Sequence, residues 1–142
     1  MTVSFFVSTL WIQFFPEKPL PEEELLRYAH VRGWIEDQDE RFCNESLNRQ
    51  TAARIVHEFM RIELGVLDLP DISDANVLAD LYTCHACVNH IAQVYLRGII
   101  KSQTVVREGA EYKIFNHLEQ LTDEEITFLF SQLPPKQTLE KL

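Results

Sequence analysis

The stretch YAHVRGWI at residues 28–35 returns as VYLRGII at residues 94–100, and this repeat decides the expected fold. Each copy is followed by a Phe and then by a sequence typical of a helix start: Phe42 with LNRQ at 47–50, and Phe115 with LTDE at 121–124. One such unit cannot bury its apolar face alone, so two copies are expected to pack together. The repeat therefore predicts the architecture before any chemistry is considered.

Size and charge limit the possible classes of protein. With 142 residues, 46% of them hydrophobic, the chain is long enough for one domain with a substantial core. Its 13 basic and 22 acidic residues give a net charge of -9, which repels nucleic acids and anionic membrane surfaces. The three cysteines leave at least one thiol free, which favours a reducing compartment.

Residues 1–16 carry no charged side chain. They lack the basic start and the cleavage site of a secretory signal, so we expect a cytoplasmic protein, or a cell-surface one if export information lies outside this chain. The run is too short and too polar to span a membrane. Its apolar residues at helical spacing predict an amphipathic helix on the core, although a strand or a partner-binding helix stays open. These residues are Val3, Phe6, Val7, Leu10, Trp11 and Phe14.

Three helices have clear start and stop signals. The first begins after Pro21 and ends at Gly33, which favours the left-handed conformation that closes a helix. The second is capped by Asn48 and ends before Gly65. The third starts at a capping box formed by Thr122 and Glu125 and ends before two prolines.

The remaining pattern is less regular. Residues 77–98 hold one apolar stripe, which predicts one long helix or two helices broken near Thr83. Residues 99–106 and 112–115 have strand character around a turn at Gly109. We therefore expect a mainly α single domain with minor short β-strands. Its parts are an N-terminal apolar helix in residues 1–16, a first repeat at 20–67, a second at 74–133 and a polar tail at 134–142.

The repeated units resemble S-layer homology (SLH) domains. Residues 80–100, with His85-Ala86 after Asp80 and the Arg-Gly-Ile-Ile sequence at the end, resemble the first half of such a repeat. Phe115 and the helix start at 121–125 resemble its second half. The first copy has the corresponding residues in the same order: Tyr28, Gly33, Phe42 and Leu47 to Gln50.

The resemblance implies a non-catalytic, mainly helical binding module. SLH domains usually occur in threes and attach secreted proteins to cell-wall polysaccharide. Arg49 matches the Arg of the family's helix-start motif, whereas the second copy has Asp123 there. We therefore expect no enzyme activity and no cofactor, and a ligand that is an acidic glycan or cell-wall polysaccharide.

Three residues at the repeat junction are the candidate ligand-binding residues: Trp34, Asn48 and Arg49. An indole face can stack on a sugar, and an Arg guanidinium can pair with the carboxylate of an acidic glycan. The competing interpretation is that Trp34 lies in the core and Arg49 is an ordinary exposed residue of the first helical turn.

The string Cys84-His85-Ala86-Cys87 is the most metal-like motif. Zinc requires four ligands, and the two thiolates need partners such as Cys43, His30, His57 or His90 brought together by the fold. Because both cysteines lie on or beside an apolar stripe, we expect them to be reduced and free of metal. A redox role at a helix N-terminus is a further alternative.

Two partner hypotheses remain open. The first is the glycan, and the second is a protein partner of an intracellular scaffold. The apolar N-terminal residues exceed what one helix face can readily bury, so they predict either a homodimer or complete burial against the repeats. The residues expected in a homodimer interface are Phe5, Phe6, Leu10, Trp11 and Phe14.

Overall fold

The computed structural model describes residues 1–137, and helices dominate this part of the chain. The helices are α1 (Val3–Phe14), α2 (Glu22–Arg32), α3 (Asp37–Arg41), α4 (Arg49–Ile62), α5 (Val88–Leu96) and α6 (Asp123–Gln132). One antiparallel hairpin of β1 (Gln103–Arg107) and β2 (Ala110–Ile114) lies between α5 and α6. The prediction of a mainly α protein with short strands is confirmed at this level.

Helix ends follow from local chemistry. Gly33 closes α2 with φ of 97°, so its predicted left-handed conformation is confirmed, and Gly98 after α5 has the same conformation with φ of 72°. The Asn48 side chain accepts a hydrogen bond from the Thr51 N–H at the start of α4. The capping box predicted for α6 is present between Thr122 and Glu125.

Two stretches differ from their predicted structure. Residues 34–43, for which the sequence predicts no helix or strand, contain α3, whose first turn is capped by a capping box between Glu36 and Asp39. The stripe at 77–98 contains two short 3₁₀ turns before α5 rather than one long helix or two, and a further 3₁₀ turn ends at Val77, where the stripe begins. These turns are Ser73–Val77, Leu81–Thr83 and His85–Cys87. Apolar spacing alone does not distinguish successive 3₁₀ turns from an α-helix.

Helix α1 lies on the core with one face buried. Phe6, Val7 and Leu10 are fully buried, and the Phe6 ring packs on Phe130 of the C-terminal half. Thr2 caps the helix, and the backbone of Val3 and Ser4 bonds to the chain near Cys43. Buried side chains of α1, α2, α4, α5 and α6 join in one apolar cluster. Within the described residues, no helix combines the length and the apolar character needed to cross a bilayer.

The two halves of the chain meet at the start of α4. The Arg49 N–H donates to the Glu119 carbonyl and the Gln50 N–H donates to the His117 carbonyl, each over 2.9 Å. Asn48 also pairs with Gln120 in an isolated antiparallel bridge. These bonds hold the first turn of α4 against the segment that precedes α6. The predicted tail at 134–142 lies partly outside the described residues.

Candidate functional site

Trp34 lies in the core. Its ring is fully buried and meets the Phe59 ring edge-on at 4.8 Å between centroids. The indole N–H donates to the Glu63 carboxylate over 3.0 Å, which satisfies the one polar group of the side chain. Trp34 therefore has no free face on which a sugar could stack.

Arg49 is fully buried where the two halves meet. Its Nε donates to the Phe115 carbonyl over 2.6 Å, and its other nitrogens bond to the Glu125 carboxylate and the Lys101 carbonyl. The guanidinium also lies 5.1 Å from the centroid of the Phe115 ring. With all of these partners inside the protein, Arg49 joins the two halves and has no donor directed at solvent.

The predicted groove of Trp34, Asn48 and Arg49 is therefore wrong for this structure. Asn48 uses its side chain to cap α4, and the other two residues are buried. The competing interpretation was right about Trp34 but wrong about Arg49, which is not exposed. The burial of Arg49 could not be predicted from its neighbours in the sequence, because its partners lie far away along the chain.

The predicted homodimer surface is also wrong in its main residues. Phe6, Leu10 and Trp11 are buried within the chain, and the Trp11 indole N–H donates to the Lys18 carbonyl over 2.7 Å. Phe5 and Ile12, which are 56% and 62% exposed, are the large α1 side chains that face solvent. These two leave too little apolar area on α1 for the predicted interface.

Cys84 and Cys87 form a disulfide, so the prediction that both are reduced is wrong. The bond lies at the His85–Cys87 turn that leads into α5, and Cys43 is the free cysteine. Two of the three cysteines are thus oxidised, and this removes the support for the predicted reducing compartment. Apolar neighbours favour a buried free Cys, but they do not prevent a bond between residues three apart on one turn.

A cluster of imidazole and carboxylate groups lies between α4 and α5. The Nδ1 atoms of His57 and His90 are 2.8 Å apart, and the Glu58 carboxylate lies 3.9 Å from His57 Nδ1. On the other side of the His57 ring, Nε2 lies 2.6 Å from the Asp68 carboxylate. One ligand atom from each of His57, Glu58 and His90 lies within 4.8 Å of the others. These groups have the chemistry and spacing to hold a metal ion.

The electrostatics of this cluster favour neutral imidazole at His90. Burial and the neighbouring His57 lower the pKa of His90 to about 4. The paired Arg61 guanidinium keeps the pKa of Glu58 below its usual range. Burial tends to raise the pKa of Asp68, but hydrogen bonds from His57 and Asn89 outweigh it and hold that pKa low. The cluster thus combines a neutral imidazole at His90 with ionised carboxylates at Glu58 and Asp68.

A separate open cleft has a volume of about 790 Å³ and lies against α2 and the end of α3. Four carboxylates line it, and the basic side chain there is Arg27, which donates to Glu40 over 2.8 Å. The Tyr28 ring and the free Cys43 also reach the cleft. The four acidic residues that line it are Glu22, Glu23, Glu24 and Glu40.

No family model, no curated protein and no solved structure matches this chain. The resemblance to SLH repeats therefore stays a prediction.

Neither the cleft nor the histidine cluster was predicted as a site. The sequence motif at Cys84–Cys87 draws on His57 and His90 only as further ligands for the cysteines. A usable signal for the cluster was the placement of His57 and His90 on the apolar sides of two neighbouring helices.

Proposed function

We propose that the protein is a non-catalytic binding module that holds a positively charged segment of a partner protein in the cleft against α2 and α3. The observation that carries this proposal is the lining of the cleft by four carboxylates and one arginine. Since Arg27 is paired with Glu40, the carboxylates of Glu22, Glu23 and Glu24 give the cleft a net negative charge. Charge complementarity selects partners mainly through the association rate and specificity.

Exposed apolar groups beside the carboxylates support a peptide rather than a simple cation. Tyr28 lines the cleft, exposed Phe42 precedes the lining residue Cys43 in the chain, and exposed Val31 lines a second opening that shares Arg27 and Glu40 with the cleft. The alkyl stems of Lys and Arg pack on such surfaces while their charged ends reach carboxylates. A segment rich in Lys and Arg satisfies both features.

A peptide titration tests the proposal. A fluorescent Lys/Arg-rich peptide is titrated with the protein, and anisotropy is followed at low and at raised salt. The double variant Glu23→Gln/Glu24→Gln should weaken binding by roughly 2- to 30-fold, the sum of two exposed ion pairs. The matched control, Glu17→Gln/Glu111→Gln, changes the net charge equally at exposed positions away from the cleft.

The control should bind like the wild type. Equal weakening in both double variants indicates a general charge effect and contradicts the cleft as the site. Absence of peptide binding by the wild type at low salt contradicts the proposed function itself. Thermal unfolding of each variant checks that the loss of carboxylates from the first turn of α2 has not unfolded the protein.

Binding of an acidic glycan, which the SLH resemblance implies, remains the alternative proposal. The acidic cleft and the net charge of -9 disfavour an anionic ligand. The same assay with a labelled acidic polysaccharide distinguishes the two proposed ligands. Polysaccharide binding that is unaffected by Glu23→Gln/Glu24→Gln favours a glycan that binds at another surface.

A further inference from the structure

We propose that His57, His90 and Glu58 form a binding site for a divalent transition-metal ion, with Zn²⁺ as the expected occupant. His57 and Glu58 lie on α4 and His90 lies on α5, so two packed helices position all three side chains. Ligands on helices are held more precisely than ligands on loops.

The distances are close to those that zinc requires. Zinc bonds to imidazole nitrogen at about 2.0–2.1 Å, which places two nitrogens of a tetrahedral site about 3.3 Å apart. The two Nδ1 atoms are 2.8 Å apart, so a rotation of either ring that separates them by about half an ångström makes room for the ion. Glu58 lies within reach on the same side of His57.

Asp68 fixes the form of His57 that a metal needs. An ionised carboxylate only accepts hydrogen bonds, so Nε2 of His57 carries the proton and donates to Asp68 over 2.6 Å. In neutral His57 this leaves a lone pair on Nδ1, the atom that faces His90. Asn89 in turn donates to the second Asp68 oxygen over 3.0 Å and holds the carboxylate in place. A carboxylate behind a metal-binding His is a recurring arrangement that strengthens the ligand.

Without an ion, the two rings are joined by a proton. Only one of the two Nδ1 atoms carries the proton, so that one ring donates and the other accepts. A metal ion replaces this single proton between two lone pairs. The cluster therefore has two states, a hydrogen-bonded one and a metal-bound one, with little movement between them.

The donor set selects the class of metal. Two imidazoles and one carboxylate suit Zn²⁺ and the neighbouring first-row ions, whereas Ca²⁺ and Mg²⁺ take oxygen ligands. Glu58 accepts two hydrogen bonds from Arg61, at 3.0 and 2.9 Å, and must share or release one oxygen to reach the ion. Arg61 is half-exposed and can follow this change.

The cysteines provide the competing explanation for zinc binding. Reduced Cys84 and Cys87 could bind zinc as thiolates, but in the structure they are joined as a disulfide. The proposed site needs neither sulfur, and this difference makes the two sites distinguishable.

The experiment measures Zn²⁺ binding to the full chain without reductant, by competition with a chromophoric chelator, and repeats it with Co²⁺. One ion per chain is expected, with weak Co²⁺ absorption bands typical of nitrogen and oxygen ligands and without thiolate charge-transfer bands. Thermal unfolding should shift upwards as Zn²⁺ is added, because the ion binds the folded chain. Absence of stoichiometric binding shows that the three side chains form only a hydrogen-bonded cluster and overturns the proposal.

Variants assign the ion to these residues. His57→Gln and His90→Gln should each weaken Zn²⁺ binding by more than about 100-fold, and Asp68→Ala should weaken it by about 10- to 100-fold. Asp68→Asn keeps an oxygen that can accept the hydrogen bond from His57, so this variant should lose less Zn²⁺ affinity than Asp68→Ala. The matched control His85→Gln removes an exposed histidine outside the cluster and should bind normally.

A final variant separates the two sites. Cys84→Ser/Cys87→Ser should retain Zn²⁺ affinity under the same conditions. Binding that appears only with reductant, or that is lost in this double variant, places the ion on the thiolates and overturns the proposal. If a His variant fails to fold, the Co²⁺ spectrum of the wild type still decides between nitrogen and sulfur ligands.

Discussion

The guanidinium of Arg49 donates to the carbonyl oxygen of Phe115 over 2.6 Å and thereby joins the first turn of α4 to the end of β2. The same side chain bonds to Lys101 and Glu125, so three segments of the second half converge on one residue of the first. A single buried charge with this many partners holds the two halves in register.

Arg49→Ala should destabilise the fold by about 3–5 kcal/mol. The change leaves the carbonyls of Phe115 and Lys101 without their donor and removes the partner of Glu125. Urea denaturation measures the loss. Arg41→Ala is the control, since it breaks an exposed ion pair with Asp37 and should cost less than about 0.5 kcal/mol. Similar losses in the two variants would contradict the joining role of Arg49.

Acid should weaken the same junction through Glu125. Burial alone would raise the pKa of Glu125, but the Thr122 N–H and the Arg49 charge outweigh it and hold the pKa below its ordinary value of 4.5. A carboxyl with a lowered pKa in the folded state stabilises the fold above its ordinary pKa, and this contribution is lost as pH falls through the lowered value.

Glu125→Gln should therefore lower stability near neutral pH and flatten the decline of melting temperature below pH 4.5. Thermal unfolding scanned over pH provides the measurement. Asp123→Asn, an exposed change in the same helical turn, is the control. An acid decline that is equally steep in the wild type and in Glu125→Gln would show that other carboxyls govern it.

Gly98 should resist replacement because of its backbone angle alone. Its φ is 72°, and a Cβ there would meet no heavy atom within 4 Å, so any cost comes from strain rather than from a clash. Gly98→Val should cost about 1–3 kcal/mol, whereas Gly98→Asn should cost less because Asn tolerates the left-handed region. Differential scanning calorimetry of the two variants tests the order, and equal melting temperatures would remove the need for a left-handed residue.

Neighbouring phenylalanines in α1 should behave very differently. Phe6 is fully buried against Phe130, whereas Phe5 is 56% exposed. Phe6→Ala should cost about 3–5 kcal/mol through the cavity it leaves, and Phe5→Ala should cost about 1 kcal/mol or less. Chemical denaturation with size-exclusion chromatography checks both stability and mass. A loss of dimer mass in Phe5→Ala would restore α1 as an interface between copies.

The helix ends could be predicted from the sequence because the groups that close them are neighbours in the chain. Asn48 reaches the N–H of Thr51, and Thr122 exchanges hydrogen bonds with Glu125, each three residues away. These signals depend on residue type and spacing alone.

The candidate site could not be predicted in the same way. The partners of Arg49 lie 52 to 76 residues away, and His57 and His90 are 33 residues apart. A polar residue in the first turn of a helix is expected to be exposed. Its burial can be predicted only when the segment that packs against that turn is known. Trp34 has the same difficulty, because its indole is satisfied by Glu63, 29 residues along the chain.

The position of Cys43 has a practical consequence. The other two cysteines are joined to each other, so a thiol-reactive fluorophore added without reductant attaches to the chain at one place. Cys43 lines the acidic cleft together with the start of α2. Cys43 is thus a natural labelling site for a fluorophore. A change in the emission wavelength or intensity of the dye can report when a molecule enters the cleft.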